Sequence, residues 1–183
     1  MNTIKIKPFL ETARIWAKQS SCVRLKVGAV ILNKKTKRLL SIGYNGTISG
    51  QVHCNQLFIN TDNTNYYVNG KINQFLSSTG IDNDRQLHKV SEQKFKELHH
   101  RFSDKYEVHA EQNAIYNLLK TNSAYDPENL VLVCTTEPCC QCAKAIAALG
   151  IKCVVFEYKY DRNTESATKF FDKMGVESWQ YSE

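Results

Sequence analysis

His109-Ala110-Glu111 and, further along the chain, Pro138-Cys139-Cys140-Gln141-Cys142 are the residues whose types and spacing could do chemistry. One imidazole and two thiolates, those of His109, Cys139 and Cys142, suit a zinc ion and leave its fourth coordination position to water. Glu111, two residues past the histidine, would stand beside that water as an acid–base group without being a ligand. Zinc lowers the pKa of a bound water from about 15.7 towards 7, so the set predicts hydroxide at neutral pH. The competing reading is a closed structural zinc site with Glu111 as a surface carboxylate. Structural sites supply four protein ligands, whereas this cluster offers three and an acid at the right offset. Cys140 reads as a bystander, because the C-x-x-C spacing already serves one metal.

Each half of this signature opens a helix-like stretch, Ala110 to Leu119 and Cys139 to Leu149. A helix N-terminus favours thiolates through its dipole and its unpaired N–H groups. Upstream, Phe9, Ala13, Trp16 and Ala17 recur at helical spacing between Pro8 and Ser20. Val27–Leu32 and Leu39–Tyr44 flank a polar turn and read as a strand hairpin. After the first catalytic helix the spacing predicts a strand over Asn129–Cys134, and then the second helix with Gly150 as a left-handed stop. A strand over Lys152–Phe156, a helix over Thr164–Met174 and a short strand over Val176–Trp179 follow. Such alternation predicts parallel pairing with helices on the sheet faces. Residues 55–101 differ: they are polar and mostly irregular, with Leu87, Val90, Phe95 and Leu98 predicting a helix over Asp84–His100. The expectation is one α/β domain over residues 1–183, carrying a polar insertion at about 55–101.

No run of eighteen apolar residues exists and the N-terminus lacks the apolar stretch of a signal peptide, so a cytoplasmic protein without membrane contact is expected. Seven cysteines in a reducing compartment predict ligands and core residues rather than disulfides, with Cys134 and Cys153 in strand-like runs as core. A net charge of +6, with the lysines dispersed, suggests anionic partners without choosing between a mononucleotide and a nucleic acid.

The H-x-E…P-C-x-x-C pattern is that of zinc-dependent nucleoside and nucleotide deaminases. The chain resembles the deoxycytidylate (dCMP) deaminase family, in particular its T-even phage and bacterial branch. Ser21-Cys-Val-Arg-Leu-Lys-Val-Gly-Ala-Val30, Gly43-Tyr-Asn-Gly46, the His109 and Cys139 motifs with their Cys-Ala-Lys continuation, and Tyr160-Asp161 carry the resemblance. It implies a three-layer α-β-α cytidine-deaminase-like fold around a five-stranded mixed sheet, and a homohexamer. It also implies hydrolysis of dCMP to dUMP and ammonia for thymidylate supply. Hydroxide would attack C4, and Glu111 would carry protons to N3 and to the leaving amine. Activation by dCTP, with Mg2+, and inhibition by dTTP are further implications, with the Gly-Tyr-Asn-Gly turn and the insertion as the expected effector region.

The same resemblance places Asn45, with Tyr44 and Gly46, near a nucleotide, although Asn45 also reads as a plain turn residue. Tyr160 could stack on the base or be a buried strand-end tyrosine. Arg24 and Lys26 are candidates for the 5′-phosphate. A second, structural zinc is implied at Cys22, Cys54, His99 and Glu107, with His100 as a rival to His99 and with His53 and His88 as surface residues. Glu137 departs from the pattern, since many relatives have a small residue before the proline. An acid there could disturb phosphate or base contacts. A tRNA or single-stranded nucleic-acid deaminase shares the zinc triad but should show a basic, aromatic-lined groove and has no support in an arginine-rich tail. A riboflavin-pathway deaminase would space its cysteines differently. A catalytically silent zinc-binding nucleotide sensor would not need Glu111.

Overall fold

The two apolar runs of the hairpin become β1 (Gly28–Asn33) and β2 (Leu39–Tyr44), paired antiparallel. Asn33 makes the turn: its Oδ1 accepts the backbone N–H of Lys35 at 2.9 Å and of Thr36 at 3.0 Å, and Lys37 takes a left-handed φ of 58°. A computed structural model describes residues 5–61, 64–68, 87–121, 124–160 and 166–182. The chain divides into two compact units, the first formed by Met1–Ser20, Lys26–Asn45 and His109–Glu183, the second by Ser21–Leu25 and Gly46–Val108.

In the first unit β1 and β2 join β8 (Leu130–Thr136), β9 (Cys153–Tyr158) and β10 (Glu177–Gln180) in a five-stranded sheet of order β10-β9-β8-β1-β2. β8, β9 and β10 run parallel and β1 is antiparallel to β8, so the sheet is mixed as expected. β8 is buried along its whole length, which is why its sequence, Leu-Val-Leu-Val-Cys, is a continuous apolar run. The parallel order follows from the intervening helices α5 (Cys140–Ala148) and α6 (Ala167–Lys173), which return the chain to the start of the next strand. Gly150 follows α5 with a φ of 85°, the left-handed stop expected there.

Alternate β1 residues face opposite layers. Val30 and Leu32 pack with Leu10 and Ala13 of α1 (Lys7–Ala17), and Ala29 and Ile31 pack with Ala114 and Leu118 of α4 (Ala110–Lys120) and Ile146 of α5. Each fully buried Val, Leu or Ile side chain among these contributes about 1.5–3 kcal/mol. Two glycines let the outer layers approach. A Cβ on Gly28 would fall 2.0 Å from the Ala13 carbonyl oxygen of α1, and one on Gly43 would fall 2.2 Å from that of Ala110 in α4. One edge of the sheet, β2, is blunted from α4: Asn113 and Asn117 donate to the carbonyls of Tyr44 and Ile42 at 2.8 and 2.9 Å.

The second unit holds β3 (Gly46–Thr47) paired with β7 (Glu107–Val108), a short helix α2 (Cys54–Leu57), and a meander of β4 (Phe58–Thr61), β5 (Thr64–Val68) and β6 (Leu87–Val90). The described part of residues 55–101 is therefore largely helix and strand rather than irregular chain. The helix expected over Asp84–His100 is instead α3 (Glu92–Tyr106), and residues 84–86 lie outside the described residues. Leu87 and Val90 belong to β6 because that segment pairs with β5 in the register Tyr67↔His88 and Asn65↔Val90. Ser91 then starts the helix as N-cap, its Oγ accepting the N–H of Lys94. Phe58, Phe95, Leu98 and Phe102 pack with Cys22 and Cys54 into a core of the unit's own. No helix among the described residues is long and apolar enough to cross a membrane.

Candidate metal centres and active site

His109 and Cys139 occupy the same structural position in two different helices. Each is an N-cap with extended backbone, at φ −74°, ψ 157° and φ −73°, ψ 167°, and each accepts the first intrahelical bond, from Asn113 and from Ala143, at 2.9 Å. Glu111 is then the second residue of α4 and Cys142 the third of α5, so both helix N-termini present their side chains with a favourable dipole for negative charge. His109 Nδ1 lies 3.4 Å from both Cys139 Sγ and Cys142 Sγ. Ligands on a tetrahedral zinc, with Zn–S of about 2.3 Å and Zn–N of about 2.0–2.1 Å, are separated by about 3.6 Å, so this triad fits the ion. Its ligand atoms lie within 4.8 Å of one another with no fourth protein donor grouped among them in the described residues, as an open site requires.

The electrostatics suit a dication. The hydrogen bond from Cys142 and the nearby His109 bring the Cys139 thiol down to about 4, while sharing that bond and being buried push the Cys142 thiol up. One thiolate beside one thiol is the arrangement these groups favour on their own; a metal would hold both as thiolates. Burial pushes the Glu111 carboxyl up to about 7, with His109 opposing the rise. Glu111 is only 4% exposed, so it is no surface carboxylate. Cys140 faces solvent outside the group, and Cys134 is buried with its thiol on the Val155 carbonyl; Cys153 is half-buried against the core.

A second group gathers in the second unit: Cys22, Cys54, His99 and Glu107, with their ligand atoms within 4.8 Å of one another. Cys22 Sγ is 3.3 Å from His99 Nε2, and the Cys54 thiol accepts the backbone N–H of Val23 at 3.5 Å. Four donors suit a closed tetrahedral site, and no further acid is grouped with them among the described residues. The hydrogen bond with Cys54 lowers the Cys22 thiol to about 3, and the same bond together with burial raises Cys54. His99 is selected over His100, which instead lies with Nε2 2.6 Å from Arg24 Nη1. His53 is exposed against Ser21 and Thr47, and His88 stacks on Tyr67.

Asn45 is buried and brackets Val27, its Oδ1 accepting the Val27 N–H at 2.8 Å while its own N–H reaches the Val27 carbonyl at 3.2 Å. Tyr44 is half-exposed and stacks on Trp16. Gly46 pairs with Val108 in the second unit, to which Arg24 also belongs, and Lys26 is exposed in the first. Tyr160 is half-buried at the end of the described segment; Asp161 lies outside the described residues. Glu137 is buried and engaged by the Tyr160 backbone and by Ser166, itself the N-cap of α6, and only the fold brings these segments together.

Residues 4–158 match the family model described as the cytidine and deoxycytidylate deaminase zinc-binding region. The chain is 31% identical over 179 residues to the deoxycytidylate deaminase of Enterobacteria phage T4, covering 95% of this chain and 88% of that protein. It is 30% identical over 173 residues to the deoxycytidylate deaminase of Schizosaccharomyces pombe, of which it covers 42%. Among solved structures, the dCMP deaminase of cyanophage S-TIM5 in complex with dCMP and dUMP superposes with a TM-score of 0.64 at 25% identity, over 99% of this chain and all of that one. The chain belongs to the cytidine and deoxycytidylate deaminase family.

Proposed function

We propose that this chain hydrolyses dCMP to dUMP and ammonia. The observation that carries the reading is the open triad of His109, Cys139 and Cys142 with the buried Glu111 beside it. The relatives named deoxycytidylate deaminase, and the S-TIM5 enzyme seen with dCMP and dUMP, supply the substrate class. A zinc ion held by the triad would supply a Lewis acid that makes water a nucleophile near neutral pH. Glu111 takes one proton of the attacking water and delivers it to N3 of the cytosine ring. It then takes the proton of the hydroxyl left on C4 and delivers it to the amine, which leaves as ammonia while the C4 carbonyl forms. Burial suits this work, because a carboxyl near neutrality can both accept and return a proton. Tyr160 would close against the base, Asn45 with Tyr44 and Gly46 would lie near the nucleotide, and Arg24 and Lys26 are the candidate phosphate cations.

The finer parts of the reading have their own support. Cys22, Cys54, His99 and Glu107 would hold a structural zinc, since the four converge in a closed set. We take the second unit as an insertion in one deaminase domain, fixed by that metal, in a cytoplasmic homohexamer supplying thymidylate synthesis. Regulation by dCTP with Mg2+ and by dTTP goes with it. The test is ammonia release from dCMP, cytidine and oligonucleotides by zinc-loaded protein and by Glu111→Ala, with and without each triphosphate. Turnover of dCMP that rises with dCTP, falls with dTTP and is lost in the variant supports the whole reading. Turnover indifferent to both triphosphates removes the regulation, and turnover of oligonucleotides alone replaces the substrate.

A further inference from the structure

Glu137 is a buried carboxylate, 3% exposed, for which the proposed chemistry has no use. It stands two residues ahead of Cys139, yet it turns away from any ligand role and ties three pieces of chain together. Its backbone N–H donates to the Tyr158 carbonyl at 2.7 Å. Its Oε2 accepts the Tyr160 N–H at 3.4 Å, its Oε1 accepts the Ser166 hydroxyl, and Lys159 Nζ lies 4.0 Å from Oε1. Ser166 is in turn the N-cap of α6, accepting the N–H of Thr168 at 3.3 Å. Burying a carboxylate costs several kcal/mol unless it is paired and hydrogen-bonded, and this one is met by a hydroxyl, an amide and an ammonium.

The register shows what the side chain adds. Thr136↔Tyr158 is the last rung between β8 and β9, and beyond it no further rung pairs the two strands. Glu137 continues the tie past the end of the sheet, holding Tyr160 against the turn that delivers Cys139. A small residue at this position would keep the backbone bond to Tyr158 and lose both side-chain bonds. Glutamine offers one carbonyl oxygen where two donors arrive, and would turn its amide N–H towards the other.

We propose that Glu137 is a positioning residue: its carboxylate fixes the Tyr160 backbone beside the Cys139 turn and, through Tyr160, sets the affinity for the nucleotide. The proposal rests on the deamination reading above. It also answers the concern that an acid here would repel phosphate or base, because this charge is spent on the protein's own donors.

The experiment compares wild type, Glu137→Gln, Tyr160→Ala and the double variant, each checked for zinc content and thermal unfolding. In Glu137→Gln, zinc content is unchanged and the Tyr160 amide, followed by NMR, exchanges faster with solvent. KM for dCMP rises on the order of tenfold with kcat within about twofold, the pattern of a lost binding position rather than lost chemistry. In the double variant KM equals that of Tyr160→Ala alone, because both changes act through one contact. An unmoved KM or an unmoved amide in Glu137→Gln overturns the proposal, as do KM effects that multiply in the double variant. Should Glu137→Gln not fold, Ser166→Ala removes one donor and keeps the carboxylate; a smaller shift of KM and amide exchange in the same direction supports the proposal, and none overturns it. A wild-type chain that releases no ammonia from dCMP overturns the functional reading and this role with it, whereas normal wild-type turnover with an unmoved KM overturns the role of Glu137 alone.

Discussion

The Cβ that Gly43 lacks would lie 2.2 Å from the carbonyl oxygen of Ala110, the residue between His109 and Glu111. It would also lie 2.3 Å from the Ala114 backbone nitrogen, so no side-chain rotation could relieve the clash. Helix α4 therefore rests backbone to backbone on β2, and the height of His109 and Glu111 above the sheet is set by a missing methyl group. Gly43→Ala must lift α4, at a cost of about 1–3 kcal/mol as for other overpacked sites. Both the urea midpoint and the zinc content of the purified protein should fall. Gly28→Ala is the control: it collides with Ala13 on the opposite face, and should lower the midpoint while leaving zinc at the His109 triad.

Removing one donor from the second group should separate structure from chemistry. Cys54→Ser leaves three donors and a weak fourth, in a core built around Cys22, Cys54, Phe58 and Phe95. Metal measured by mass spectrometry should drop from about two equivalents to about one, because a structural zinc needs its full set. The melting temperature should fall while the zinc at the His109 triad stays. One equivalent in wild type would reject the second site, and two equivalents retained in Cys54→Ser would remove Cys54 from its ligands.

The convergence of the His109 triad was legible because its spacing is local. His109, Glu111, Cys139 and Cys142 lie at helix starts, where short spacing fixes which side chains share an end, and the hairpin and the parallel strands followed from apolar runs and glycine stops. The second unit was less legible. Leu87 and Val90 are three apart, as on a helix, but pairing with β5 settles their conformation, and a single sequence does not show that partner. The choice between His99 and His100 is likewise tertiary: neighbours on one helix differ by about 100° in direction, and only packing beside Phe58 tells which one meets Cys22. The path of Glu137 depended on Ser166 and Tyr160, which come close only after β9 has paired with β8.

Glu111→Gln should trade activity for stability. The carboxyl is buried and pushed up to about 7 chiefly by loss of solvent, so the ionised form is held at a cost that a neutral amide of the same shape avoids. Denaturant unfolding should show the variant as stable as wild type or more stable, by up to about 1 kcal/mol. Its dCMP turnover should fall by about 100- to 10,000-fold, the usual loss on removing a general acid–base group. A variant that loses zinc or unfolds early would mean that Glu111 serves the structure instead.

Arg14 of α1 clamps Glu157 of β9 through both of its ends, Nε to Oε2 at 3.0 Å and Nη2 to Oε1 at 2.5 Å. That guanidinium holds the Glu157 carboxyl below the usual carboxylate range. A carboxyl depressed in the folded state contributes stability above its unfolded value of about 4.3, and the contribution is lost as pH falls through the folded value. Arg14 is 37% exposed, so solvent screening reduces the pair to about 1 kcal/mol at neutral pH. Glu157→Gln should therefore be less stable than wild type by about that amount at pH 7, with the gap closing as the pH is lowered below about 4. Comparing the two proteins at each pH cancels the acid sensitivity that the thiolate sites give to both. Urea unfolding at pH 7 and at acid pH measures the gap, and a gap that stays constant would show that Glu157 contributes through its hydrogen-bond geometry rather than through its charge.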